Sequence, residues 1–250
     1  MYTEQALVLA RHDHAMGALD ASDGLAGLFR RQTIERFDPG AAVFWEGDTA
    51  THIFQIIEGV LRVYRIIGGG RRVITAFPQS GDLVGLSLRE RTCTTAEAVT
   101  RVRLRRLPRG RFDEDVNASL ELRSEVHARL CDEMAAAQDQ MVLLARKSAE
   151  ERVASFLVML ARRRAADDPC HAMIDVPMTR LDMADYLGLT IETVSRIMTR
   201  LAARGVIAPS GRHAVRMIQQ AKLEALAGED SEEDHGMMRV FSTKQAVWPS

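Results

Sequence analysis

Thr179–Arg204, TRLDMADYLGLTIETVSRIMTRLAAR, decides the fold of this chain. It reads as two short helices joined by a tight turn. Thr179 caps the first helix with its side chain, and Leu181, Ala184, Tyr186 and Leu187 give that helix an apolar side. Gly188 ends it, because glycine leaves a helix at positive φ without steric cost. Thr190 caps the second helix, where Ile191, Val194, Ile197, Met198 and Leu201 recur at helical spacing. Glu192, Thr193, Ser195, Arg196, Thr199 and Arg200 are left on a polar face. Helix, glycine turn and helix with such a face is the sequence form of a helix-turn-helix DNA reader.

Two helices around a glycine also occur in many other soluble proteins, so the chemistry at the start of the second helix matters. Glu192 suits a helix N-terminus on electrostatic grounds alone. A carboxylate also accepts from the cytosine amine, an arginine forks onto guanine, and a serine takes either role. Glu192, Ser195 and Arg196 lie within about one turn, at the end where a recognition helix meets base edges. They are the candidate base contacts. Thr179, Arg180, Thr190, Thr193 and Arg200 are candidate contacts to the DNA backbone. Downstream, Gly205-Val206-Ile207 opens a strand, Pro209-Ser210-Gly211-Arg212 turns, and His213–Met217 returns. This wing would lay Arg212 and His213 near phosphate. With helices expected over Ala149–Arg163 and Gln219–Leu226, residues 148–228 read as a winged-helix DNA-binding domain.

Upstream, residues 117–147 read as one long helix. Leu130, Met134, Ala137, Met141 and Leu144 follow a heptad seam along it. An exposed seam needs a cover, and a second copy of the chain fits it better than the chain's own sheet. Between Ile34 and Leu107, short apolar runs alternate with turns such as Asp38-Pro39-Gly40, Glu46-Gly47-Asp48 and Gly68-Gly69-Gly70. Residues 23–116, with a short helix over Asp23–Arg31, therefore read as an antiparallel barrel or double-sheet β-roll that holds a ligand or only its own core. The fold class is α+β. Residues 1–22, with His12 and His14, read as a flexible leader. Residues 229–250, opening on Glu229-Asp230 and Glu232-Glu233-Asp234, read as a disordered acidic and mixed tail.

Composition bounds the function. A chain of 250 residues with a formal net charge of -1 has no overall polyelectrolyte attraction to DNA, which argues against a packaging protein. Locally, Thr179–Met217 holds Arg180, Arg196, Arg200, Arg204, Arg212 and Arg216 against Asp182, Asp185 and Glu192, a balance of +3. So small a charge favours two copies on one duplex, which double the phosphate contacts. Cys93, Cys131 and Cys170 are too few and too scattered for a disulfide framework, and they point to a reducing compartment. Cys131 and Cys170 are candidate redox thiols, with inert thiols the alternative. No apolar run approaches membrane length, so a cytoplasmic location with no membrane partner is expected. There is no Walker loop, HExxH, GxSxG elbow or metal-spaced cysteine set, so neither an enzyme nor a metal site is expected.

Three stretches resemble the Crp/Fnr superfamily of bacterial transcription regulators. They are the glycine-punctuated roll, AAAQDQMVLLARKSAEERVASFL (Ala135–Leu157) and DYLGLTIETVSR (Asp185–Arg196). The resemblance runs from Ile34 to Leu226 and is strongest toward the Fnr/FixK side. It implies a homodimer with a cyclic-nucleotide-binding-like roll and a C-terminal winged helix on a palindromic operator, in contact with RNA polymerase. By the match of Glu192, Ser195 and Arg196, that operator is close to TTGAT-N4-ATCAA. Members that bind cyclic AMP hold the ribose with a glutamate after a turn glycine and the phosphate with an Arg-Ser pair. Here Leu86 follows Gly85, and Thr94-Thr95 stand where Arg-Ser would fall. Members with an iron–sulfur cluster carry N-terminal cysteines, and none precedes Cys93 here. The resemblance thus implies a FixK-like regulator with no bound cofactor. The open alternatives are a member responding to a small molecule, to haem through His52 or another histidine, or to redox state, and an adaptor using the winged helix on proteins.

Overall fold

Glycine turns and alternating apolar residues cut the first half of the chain into short strands. The computed structural model describes residues 24–87, 89–167, 173–211 and 213–228. The expected leader and tail, Cys170 and Arg212 therefore lie outside the described residues. Helix α1 (Gly24–Phe29) precedes β1 (Ile34–Phe37), β2 (Ala42–Phe44), β3 (His52–Glu58) and β4 (Leu61–Ile67). Then come β5 (Arg71–Ala76), β6 (Leu83–Val84), β7 (Thr95–Ala98) and β8 (Val102–Pro108). They pair into two antiparallel sheets, β1-β8-β3-β6 and β2-β7-β4-β5. The period-two alternation sends Phe54, Ile56, Val102 and Leu104 of one sheet against Leu61, Ala96 and Ala98 of the other. Ile53 and Leu107 face the opposite way and pack with Leu25, Phe29 and Phe112.

Three helices follow, α2 (Arg109–Ala118), α3 (Leu120–Arg146) and α4 (Ala149–Asp167). The single helix expected from residue 117 is instead interrupted. Ser119 takes an extended conformation and its side chain accepts the Leu122 N–H, so a fresh helix starts there. The last part of the chain holds β9 (Met173–Asp175), α5 (Arg180–Leu187), α6 (Ile191–Ala203), β10 (Ile207–Pro209), β11 (Ala214–Met217) and α7 (Gln220–Leu226). α4 runs on to Asp167, past the helix end expected at Arg163, and β9 begins at Met173. Ile174 of β9 pairs with Val215 of β11, which makes the wing a three-stranded sheet, β10-β11-β9. A three-residue strand carries no periodicity, so only its partner defines it.

α5 differs from expectation in its inward side. Leu181 is 47 % exposed, and Asp182 is the buried residue at 1 %. Ile191, placed on the apolar side of α6, is likewise 41 % exposed at the helix start. Gly188 does what its position requires: it closes α5 at φ 63°, and Leu189 N–H returns to the Ala184 carbonyl. Gly188→Ala is expected to cost about 1–2 kcal/mol, the penalty of a Cβ in the left-handed region. Equilibrium urea unfolding measures it.

The buried core does not stop where strands give way to helices. Tyr64, Ile74 and Phe77 of the roll share one cluster with Phe156, Met183, Tyr186 and Leu187 of the winged-helix region. The rings of Phe77, Phe156 and Tyr186 lie 5.3–6.0 Å apart, as mutually tilted and edge-on pairs. The roll and the reader are thus packed as one body.

Candidate nucleic-acid interface

The geometry of α5 and α6 follows from their caps. Thr179 and Asp182 form a reciprocal capping box at the start of α5: the Thr179 hydroxyl accepts the Asp182 N–H while the Asp182 carboxylate accepts the Thr179 N–H. Thr190 caps α6 by accepting the Thr193 N–H at 3.2 Å. Val194, Ile197, Met198 and Leu201 anchor α6 in the core, so its opposite side faces outward. On that side Glu192 and Arg196 are exposed, Ser195 is half-buried, and Thr199 and Arg200 are exposed. The three candidate base contacts therefore share one accessible face. Thr199 extends it by another turn, with its hydroxyl donating to the Ser195 carbonyl at 3.0 Å. Thr199 belongs to the polar face read from the sequence but not to the candidate contacts, although its helical spacing from Ser195 and Arg196 is the signal that marks it.

The candidate backbone contacts are placed less uniformly. Thr179 and His213 are exposed, Arg180 is half-buried, and all three border a hollow that Ser195 and Thr199 also line. Arg180 turns one guanidinium nitrogen toward Met183 Sδ at 3.1 Å, and burial holds its pKa below the usual arginine value. Thr190 and Thr193 sit together at the N-terminus of α6, their hydroxyls 3.1 Å apart. Arg200 lies 3.7 Å from Glu150, which also takes Arg204 at 2.7 Å. Glu150 was not singled out in the sequence, and no local signal marks it, because its partners are about 50 residues away.

Electrostatics at the start of α6 favour ionised Glu192. Hydrogen bonds from its own backbone N–H and from the Thr190 side chain hold its carboxyl below the usual range, aided by Arg196. Its folded-state pKa is thus lower than the unfolded one, so it contributes stability above the unfolded pKa and loses it as pH falls through the folded value. Glu192→Gln is expected to flatten the acid limb of a Tm-versus-pH curve, with variant and parent converging at the acid end.

Along α3, Leu130, Met134, Ala137, Met141 and Leu144 are all exposed, the two methionines at 60 % and 62 %. Val142 adds a further exposed apolar side chain. Cys131 lies exposed beside this seam.

Two family descriptions match this architecture. A cyclic nucleotide-binding domain matches residues 34–118, and a Crp-like helix-turn-helix domain matches residues 151–226. The nitrogen fixation regulation protein FixK of Bradyrhizobium diazoefficiens is 40 % identical over 194 residues, covering 76 % of this chain and 80 % of that one. The chain belongs to the Crp/Fnr superfamily, on its FixK/Fnr-like branch. The transcriptional activatory protein AadR of Rhodopseudomonas palustris is 37 % identical over 77 % of this chain and 80 % of its own. Among solved structures, FixK2 from Bradyrhizobium japonicum superimposes with a TM-score of 0.74 at 32 % identity, covering 78 % of this chain and 96 % of that one.

In this Crp/Fnr protein the turn at Gly85 has φ 88°, and a Cβ there would stand 3.0 Å from the His52 carbonyl. The next residue, Leu86, packs against the cluster of Leu25, Ile53 and Leu107. Thr95 is buried and its hydroxyl accepts the Glu46 N–H at 3.0 Å. The cluster between the sheets holds Phe54, Ile56, Leu61, Val84 and Leu104. His52 pairs its Nδ1 with the Thr51 hydroxyl at 2.8 Å, and burial, then Arg106, lowers its pKa, favouring the neutral ring. Among the described residues, no three His, Cys, Asp or Glu side chains group as metal ligands, and no helix is long and apolar enough to cross a membrane.

Proposed function

We propose that the protein is a homodimeric transcription regulator that reads a TTGAT-N4-ATCAA-like palindrome without a bound effector and contacts RNA polymerase from there. The observation that carries this reading is the shared exposed face of Glu192, Ser195 and Arg196 on α6. Arg196 forks onto the guanine of the half-site, Glu192 accepts from the amine of the paired cytosine, and Ser195 takes a neighbouring base. Thr179, Arg180, Thr190, Thr193, Arg200, Arg212 and His213 hold the phosphates on either side. The α3 seam supplies the two-fold contact, since five apolar positions at heptad spacing lie exposed on one chain. The activator name of AadR supports a partnership with RNA polymerase.

Leu86 and Thr95 support effector independence: neither offers a charged group to a cyclic phosphate, and a buried phosphate without a cation is poorly solvated. The absence of cysteine before Cys93 supports the same reading against an iron–sulfur cluster. Comparing a full palindrome with a single half-site tests the dimeric reader. Specific binding is expected to require both halves, and equal affinity for one half would overturn it. Met141→Ala is expected to weaken the dimer by about 1–2 kcal/mol, the value of a partly buried methionine side chain. Sedimentation equilibrium reads that change.

A further inference from the structure

The packing of roll on reader contains a chain of charges that the DNA-reading face does not use. Asp182 of α5 takes two arginines from the sheet β2-β7-β4-β5. Arg72 Nη2 donates to its Oδ1 at 2.7 Å, and Arg62 Nη1 donates to Oδ1 and Oδ2 at 3.2 and 3.3 Å. Arg72 Nε donates to Asp185 Oδ2 at 2.8 Å, so one planar guanidinium grips two carboxylates on adjoining turns of α5. Arg62 is held from behind by Glu97, its cross-strand partner on β7, which also accepts from the Tyr64 hydroxyl at 3.0 Å. The Arg72 guanidinium lies over the Tyr64 ring, 5.6 Å from its centre.

Half-buried ion pairs add little net stability, because desolvation offsets their attraction; what they supply is direction. The aromatic contact of Phe77, Phe156 and Tyr186 is apolar and tolerates sliding, whereas a forked guanidinium on two carboxylates fixes both distance and angle. The grip engages the Asp182–Asp185 side of α5 and leaves Glu192 and Arg196 of α6 exposed.

We propose that Arg62 and Arg72 are positioning residues: through Asp182 and Asp185 they lock the winged helix against the roll in its DNA-competent orientation. The strut lies within one chain and joins Arg62 and Arg72 of the roll directly to Asp182 and Asp185 of α5. The proposal rests on the reading of α6 as the DNA-reading helix.

The test uses full-length protein with Arg62→Ala and Arg72→Ala combined, Arg72→Asp alone, and Arg72→Asp with Asp185→Arg. Operator affinity and hydrogen exchange across α5 and β4–β5 are measured on each. The first two variants are expected to keep their helical content, exchange faster at α5, and bind the operator about tenfold more weakly, as a competent fraction near one in ten would give. The charge swap is expected to restore both readouts in part, which assigns the effect to the pairing of residues 72 and 185 rather than to the packing of Arg72 on Tyr64. Unchanged operator affinity despite faster exchange would overturn the proposal, as would unchanged exchange. Tighter binding would overturn it too, by making the network an inhibitory latch. If the parent protein itself binds no operator, the regulator reading fails first, and that is seen before any variant is made.

Discussion

Arg196→Ala is expected to abolish discrimination at the guanine of each half-site, with a loss of about 1–3 kcal/mol per contact and about 2–6 kcal/mol for a two-fold complex. The side chain stands exposed on α6, one turn from the helix start. Its guanidinium makes a long contact with the Thr193 hydroxyl, 3.5 Å, which a bidentate bond to guanine can replace at little cost. Val194, Ile197 and Met198 anchor the helix on its other side, so the truncation leaves the fold and the α3 seam intact. Nonspecific binding at low salt is expected to fall only by the share of one charge per protomer. Titration of specific and scrambled duplexes at matched salt separates the two effects. An unchanged specificity ratio would remove Arg196 from the base contacts.

Asp182→Ala is expected to be the most damaging change away from DNA, destabilising the chain by about 3–5 kcal/mol, because it strips two inward-facing arginines of their shared partner. Asp182 is 1 % exposed and serves two tasks with one carboxylate. Oδ2 accepts from the Thr179 N–H and hydroxyl at the start of α5, while Oδ1 receives Arg72 and Arg62. The arginine side chains keep 17–20 % of their surface in water, which places the expected value toward the lower end of that range. Asp182→Asn keeps an acceptor for the cap but loses the charge, and is expected to fall between parent and alanine variant. Urea unfolding at neutral pH measures both, and a loss below about 1 kcal/mol would show that the network is solvated rather than structural.

These two residues mark the boundary of what was legible in the sequence. α6 could be read because everything that makes it is local: a cap at Thr190, a glycine before it, and apolar residues at helical spacing. The exposure of Glu192 and Arg196 follows from the same periodicity. Asp182 could not be read. In isolation it looks like a solvated acid beside an apolar Leu181, and only Arg62 and Arg72, more than 100 residues earlier, reverse that order. The same holds for β9, which exists through its pairing with β11, and for Glu150, which meets Arg204 across the helix-turn-helix. Contacts set by topology rather than by neighbours along the chain carry no pattern for a sequence to display. Recognition of the superfamily from Asp185–Arg196 and Ala135–Leu157 agrees with the matched domains, but it too says nothing about the charges between roll and reader.

The central claim is that a dimer with no effector reads the operator. The measurement that tests it most directly is binding of full-length purified protein to a TTGAT-N4-ATCAA duplex, performed with and without oxygen, with its metal and nucleotide content determined on the same sample. The account predicts equal, sequence-specific binding under both conditions by protein that carries neither metal nor nucleotide. Binding that appears only with an added cofactor, or that is lost on thiol oxidation, would contradict it.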